Sequence, residues 1–292
     1  HDTLVYFALK TFFTPEILSF LANLLNTALT PINRTITAKT IINIFFNVVV
    51  NAAVGVANQV RSAVFGFVSS FQTAFNPQIV KLYALEEKDQ LLLLNTGRQS
   101  SRIICYLLFH FYSIVRKEVL SIWLVNVPDY AVVITQLVII TSFTEALSAP
   151  LWTAIGATGK VQKYQLLVSL IIFLNVPLVY VAFKLGMSPI AAFVINFVVS
   201  VFAYLYRLLY IKKYVPYHLG DYLKKVVLPC VIVTVLSFPI PYIFREYAIS
   251  AISTILLLVL TIVVTGIVIL LTGLDMNEKR FLISKIKKVI KK

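Results

Sequence analysis

Charge is what this chain of 292 residues has least of: Asp, Glu, Lys and Arg together make up 13% of it, against roughly 25% in a soluble domain. Hydrophobic residues make up 59%, and the mean hydropathy is +0.89. No soluble globular core hides that much apolar surface, so lipid has to be part of the solvent. Cysteine is scarce too. Cys105 and Cys230 both fall in apolar runs with no CxxC partner, which excludes a disulfide framework and a thiolate metal site and leaves them as packing residues. His1, His110 and His218 are isolated, and there is no GxGxxG, no Walker loop and no HExxH. No catalytic residue, metal or cofactor is expected, and the protein is read as a non-enzyme. His1 to Lys10 lacks the charged start, apolar stretch and small-residue cleavage site of a secretory signal. The expectation is a fragment, or a chain whose true start lies upstream.

What the chain does have is an excess of base, 26 Lys and Arg against 12 Asp and Glu, for a net charge of +14. Such an excess raises the question of nucleic acid, but its distribution answers otherwise. The cations sit in a few short connections and in the tail, and long apolar runs lie between them. A bilayer takes roughly 20 helical residues to cross, and about eight runs of that kind emerge: Pro15–Asn47, Asn51–Tyr83, Ser101–Leu124, Ala131–Ala157, Tyr164–Leu185, Pro189–Ile211, Val226–Phe244 and Ser250–Leu274. They are continuously apolar, without the strict alternation of barrel strands, so the fold class is an all-α membrane protein. Pro77, Pro177, Pro239 and Pro241 lie in or near these runs as candidate bends.

One set of connections carries Lys81, Lys88, Arg98, Arg102, Lys160, Lys163, Arg207, Lys212, Lys213, Lys224 and Lys225, and the tail from Lys279 to Lys292 belongs with it. The other set has Lys184 and Arg245, with Arg116 and Lys117 as the main exception. Positive connections face the cytoplasm, which puts the C-terminus and the start of the first run there. The tail Asn277–Lys292 interleaves lysines with Phe281, Ile283, Ile286, Val289 and Ile290 close to one helical face. It reads either as an interfacial helix on anionic headgroups or as a simple lock on topology.

The first two runs hold most of the intramembrane polar groups: Asn26, Asn33, Arg34 and Lys39 on one, Asn51, Asn58, Gln59, Arg61, Gln72 and Asn76 on the other. Polar groups at that depth face protein or a wet cavity. Arg34, Arg61, Asn58, Gln59, Gln72 and Asn76 are therefore candidate ligands for a polar, anionic substrate, since guanidinium forks match phosphate oxygens. The competing readings are interhelical hydrogen bonds for the amides and snorkelling for the arginines. Glu145, near the middle of the fourth run, is placed either to pair with a base or to carry a coupling proton.

The runs NAAVGVANQV (Asn51–Val60) and FQTAFNPQI (Phe71–Ile79), the connection WLVNVPDY (Trp123–Tyr130), the segment SAPLWTAIGATGK (Ser148–Lys160), and Tyr164 and Gln165 after it, resemble polysaccharide-biosynthesis flippases. These are O-antigen-type transporters of the multidrug/oligosaccharidyl-lipid/polysaccharide exporter superfamily, and the resemblance covers most of the chain. It implies a two-lobed exporter fold of which this chain supplies the six-helix C-terminal lobe (1–215), two accessory helices (216–276) and a basic cytoplasmic tail (277–292), with an N-terminal lobe as partner. It further implies movement of a lipid-linked oligosaccharide diphosphate across the bacterial inner membrane in polysaccharide or lipopolysaccharide synthesis. The diphosphate would meet cations in a cavity between lobes. A drug/cation antiporter of the same superfamily would want more buried acids than Glu145. A membrane glycosyltransferase or polymerase would want large catalytic loops, and the loops here are short.

Overall fold

The computed structural model describes residues 42, 44–46, 48–84, 117–214, 219–237, 251–268 and 271, and the regular structure among them is helical throughout. The expected first run lies almost entirely outside the described residues, as do most of the third and the basic tail. The helices are α1 (Val48–Ala84), α2 (Lys117–Trp123), α3 (Ala131–Ala157), α4 (Gln162–Phe173), α5 (Asn175–Lys184), α6 (Ile190–Ile211), α7 (Leu219–Tyr222), α8 (Leu228–Ser237) and α9 (Ala251–Val268). A short π-helical stretch, Leu223–Val227, joins α7 to α8.

Among the described residues four stretches are long and apolar enough to cross a bilayer: Val48–Ser70, Ala131–Ala157, Gln162–Lys184 and Ile190–Ile211. The fourth expected run coincides with α3, and the fifth and sixth correspond to α4–α5 and α6 within a residue or two. Of the last two runs the structure describes α8 and α9, which pack on each other. α1 exceeds its expected length. At 37 residues and 1.5 Å per residue it reaches about 55 Å, well beyond a hydrocarbon core of roughly 30 Å.

α3 is the hub. More than half of its span is buried, against a third for each of the other three, and its most extensive contacts are with α1 and then α6. Three apolar layers stack along it. In the first, Val50, Ala53, Val54 and Ala57 of α1 meet Ala131 and Ile134 of α3, with Val179 and Phe183 of α5 and Ala192 and Phe193 of α6. In the second, Val64 and Val68 meet Ile139 and Ala146. In the third, Ile79 meets Leu151, Ala154 and Ile155, with Tyr164 and Val168 of α4 and Tyr204, Leu208 and Ile211 of α6. Residue numbers on α1 and α3 rise together through the layers, so these two helices run parallel.

Local chemistry accounts for the breaks. Pro177 has no N–H for the carbonyl of Phe173, and the helix interrupts at Leu174, dividing one apolar span into α4 and α5. After α5, Gly186 takes φ +80°, Gly186 N donates to Phe183 O at 3.0 Å and Met187 N to Ala182 O at 3.1 Å. This is the paired closure that ends a helix on a left-handed glycine. Gly159, at φ +69°, turns the chain between α3 and α4. The WLVNVPDY segment forms the end of α2 and its connection to α3, with Tyr130 itself left-handed at φ 66°.

This topology sorts charge to the two ends. The C-terminal ends of α1, α3 and α6 and the start of α4 share one end, which carries Lys81, Lys160, Lys163, Arg207, Lys212 and Lys213. The opposite end, where α2 and the end of α5 meet the start of α3, carries Lys117 and Lys184. The described members of the two sets drawn from the sequence thus fall at opposite ends of these helices.

Candidate functional site

Midway along the α1–α3 seam, Arg61 Nη2 donates to Glu145 Oε2 at 2.8 Å. The side chains retain 24% and 14% exposure respectively, so the pair sits at the edge of the packed interior. The Arg61 guanidinium also lies 5.4 Å from the centroid of Phe65, one turn further along its own helix, within range for attraction to a ring face. A residue read as a substrate ligand and one read as a coupling site are thus brought together. Of the two readings open for Glu145, pairing with a base is the one the geometry displays.

Next along the seam is a contact created by proline. Pro150 lies inside α3 and has no N–H, so the carbonyl of Ala146, four residues earlier, loses its helical donor. Gln72 Nε2 of α1 lies 3.4 Å from that oxygen. In lipid a freed carbonyl needs a partner from a neighbouring helix, and Gln72 supplies a long one. Asn76 follows: Thr153 Oγ1 donates to Asn76 Oδ1 at 3.0 Å and also lies 3.2 Å from its own helix carbonyl at Ala149. One hydroxyl proton serves one of these acceptors at a time.

Among the sequence-predicted residues, Arg61, Glu145, Gln72 and Asn76 therefore lie on one seam. Asn58, one turn before Arg61, is half-buried, and Gln59 is exposed. Arg34 lies outside the described residues. Thr153 and Pro150 were not singled out from the sequence, although a proline in the middle of an apolar run was the available signal for a carbonyl in need of a donor. Thr135, Thr141, Ser142, Thr144 and Ser148 of α3 are buried and donate to carbonyls three or four residues back, at 2.6–2.9 Å. Their hydroxyls satisfy themselves locally.

Among the described side chains, the outward face of α1 differs in kind from that of α6. α6 exposes Val194, Val198, Phe202, Leu205 and Leu209, a lipid-facing stripe. α1 exposes Ala52, Gln59, Ser62, Ala63, Gly66, Ser70, Thr73 and Pro77 at comparable spacing. Between Val49 and Val80 no described side chain of α1 is both large, apolar and exposed. Such a face suits water or a further protein surface better than acyl chains.

Among the described residues no group of His, Cys, Asp and Glu is placed to hold a metal ion. Among the described residues, fold and site together describe an all-α protein with four candidate membrane-spanning helices and a charged pair in a polar seam between two of them. Comparison of the chain with protein-family models, with curated proteins and with solved structures finds no match.

Proposed function

We propose that the protein is a multi-pass transporter that flips a lipid-linked oligosaccharide across the bacterial inner membrane, its basic end in the cytoplasm. The observation that carries the reading is the mid-membrane Arg61–Glu145 pair beside the small, polar outward face of α1. An ion pair at that depth is costly and marks a pathway more often than packing. The guanidinium has five N–H donors in a planar fork, suited to a diphosphate. Gln59, Ser62 and Ser70 on the same helix offer hydrogen bonds to sugars, while the greasy stripes of α4, α5 and α6 keep the assembly in lipid. The motif runs named above supply the substrate class, and the partner lobe closes the cavity.

The test is flipping in proteoliposomes, with a lipid-linked oligosaccharide diphosphate as cargo and an external sugar-cleaving enzyme as the reporter. The parent protein exposes internal cargo over time. Arg61→Gln, reconstituted to the same level, slows this by tenfold or more, the loss expected for one charge-assisted contact to phosphate. Unchanged flipping in Arg61→Gln removes Arg61 from the site, and no flipping by the parent overturns the proposal. Proton-driven uptake of a cationic dye that Glu145→Gln abolishes would transfer the protein to the antiporter class.

A further inference from the structure

At the basic end, away from the α1–α3 seam, the turn after α3 and the last turns of α6 build a second polar cluster. Thr158 N donates to Ile155 O and Gly159 N to Gly156 O, each at 3.1 Å, and Lys160 N donates to Thr158 Oγ1 at 3.2 Å. Tyr210 Oη closes the turn from outside by donating to Lys160 O at 3.2 Å. Tyr210 is also 3.3 Å from Tyr214, hydroxyl to hydroxyl, and its ring packs on Tyr164, Tyr206 and Tyr214 with centroids 5.3–5.9 Å apart. The Lys160 ammonium rests 5.2 Å from the centre of the Tyr214 ring.

Behind this stack lies an imbalance. Tyr164 is 1% exposed, and the Arg207 side chain is beside it. Among the described residues the buried Tyr164 hydroxyl and the buried Arg207 Nε make no hydrogen bond of proper geometry, although the guanidinium lies against the hydroxyl. Buried polar groups are nearly always satisfied. Around them stand Lys160, Lys163, Lys212 and Lys213, all exposed, and between residues 146 and 237 the sequence has one acidic residue, Asp221. Among the described residues, cations brought to one rim with few matching carboxylates and with tyrosine hydroxyls beside them describe the recognition of a phosphate.

We propose that this cluster binds the phosphate of an anionic membrane lipid. Lys160 and Arg207 flank the Tyr164–Tyr210 pair as the charged contacts, the Tyr210 and Tyr214 hydroxyls add hydrogen bonds, and the acyl chains run down the exposed apolar surface of α4 at Leu167. Position favours lipid over a soluble anion: the cations crown apolar spans and the tyrosines stand at headgroup level, where basic pockets between helices meet anionic headgroups. The site stands apart from the Arg61–Glu145 pair and does not depend on the transported cargo.

The experiment is native mass spectrometry of the full chain purified in a neutral detergent, titrated with phosphatidylglycerol, with phosphatidylcholine, and with inorganic phosphate. The parent retains one phosphatidylglycerol about tenfold more tightly than phosphatidylcholine, the difference expected from one or two charged contacts to phosphate. Lys160→Gln, a change at an exposed side chain that leaves the fold intact, removes most of that preference, and Arg207→Gln does the same. Lys184→Gln at the opposite end leaves it unchanged. Equal retention by Lys160→Gln and Lys184→Gln would overturn the site. Displacement of the lipid by inorganic phosphate at equal concentration would reassign the same groups to a soluble anion and overturn the lipid assignment.

Discussion

On one side of α3 lies α1, joined to it by an ion pair and by the Gln72 and Asn76 contacts; on the other lies α6, packed against it through the apolar Phe193, Leu208 and Ile211. In lipid the two faces do different work. Apolar side chains gain little by leaving acyl chains for one another, so the α6 face adheres by fit and tolerates small shifts. The α1 face has few tolerated registers. A slide of one turn along the helix, about 5.4 Å, would strand Arg61, Glu145 and the Ala146 carbonyl together. The polar seam sets where α1 sits; the apolar one sets that α6 sits there at all.

Breaking the ion pair from one side tests this most severely. Glu145→Ala leaves Arg61 without its counter-charge at the edge of the packed interior and is expected to cost about 2–3 kcal/mol, read as a loss of folded protein in detergent melting. The double change Arg61→Met with Glu145→Leu is expected to recover most of that loss, since an apolar pair of similar volume is often as stable as the ionic one. If the double variant also restores flipping, the pair is structural and the transport reading loses its anchor. A double variant that is stable and silent separates stability from function.

Smaller by a factor of a few is the proline-linked contact. Gln72→Ala is expected to cost about 1 kcal/mol. In a Pro150→Ala background, where Ala146 regains its helical donor, the same change is expected to cost close to nothing. A double-mutant cycle in a stability assay reads the difference as coupling of about 0.5–1 kcal/mol. Additive losses would show that Gln72 serves something other than the Ala146 carbonyl. The smallest effect belongs to the lipid-facing stripe of α6. Phe202→Leu and Leu209→Val keep apolar groups in an apolar solvent and are expected to stay within about 0.5 kcal/mol of the parent; a larger loss at either would place protein, not lipid, against α6.

The spans were legible because period and length alone settle them: α3 falls on its expected run residue for residue, and α6 within one. Charge counting drew Lys160 and Arg207 to one end and Lys184 to the other, as the helices arrange them. The site was legible in membership and opaque in pairing. Arg61 and Glu145 each stand out as charges in apolar runs, but helical periodicity acts within a run and carries no information about which helix lies beside which. The parallel packing of α1 on α3 was hidden for the same reason, as was the Lys160–Tyr214 contact, which joins a turn to a helix end more than fifty residues away in sequence. Pro150 was passed over because bends were sought at Pro77 and Pro177, whereas what matters at Pro150 is the carbonyl it leaves behind.

Arg61 and Glu145 are separated by 84 residues of sequence, and that separation has a meaning in time as well as in space. At roughly 5–20 residues per second of synthesis, Glu145 leaves the ribosome about 4 to 17 seconds after Arg61. Through that interval the newborn α1 holds a cation whose counter-ion does not yet exist. It has to shelter at the headgroups or within the insertion machinery, and it can settle to its final depth only when α3 arrives beside it. The seam is therefore a late event in biogenesis, and slowing translation between the two codons should lengthen the exposure of the young chain to membrane proteases without altering a single contact in the finished protein.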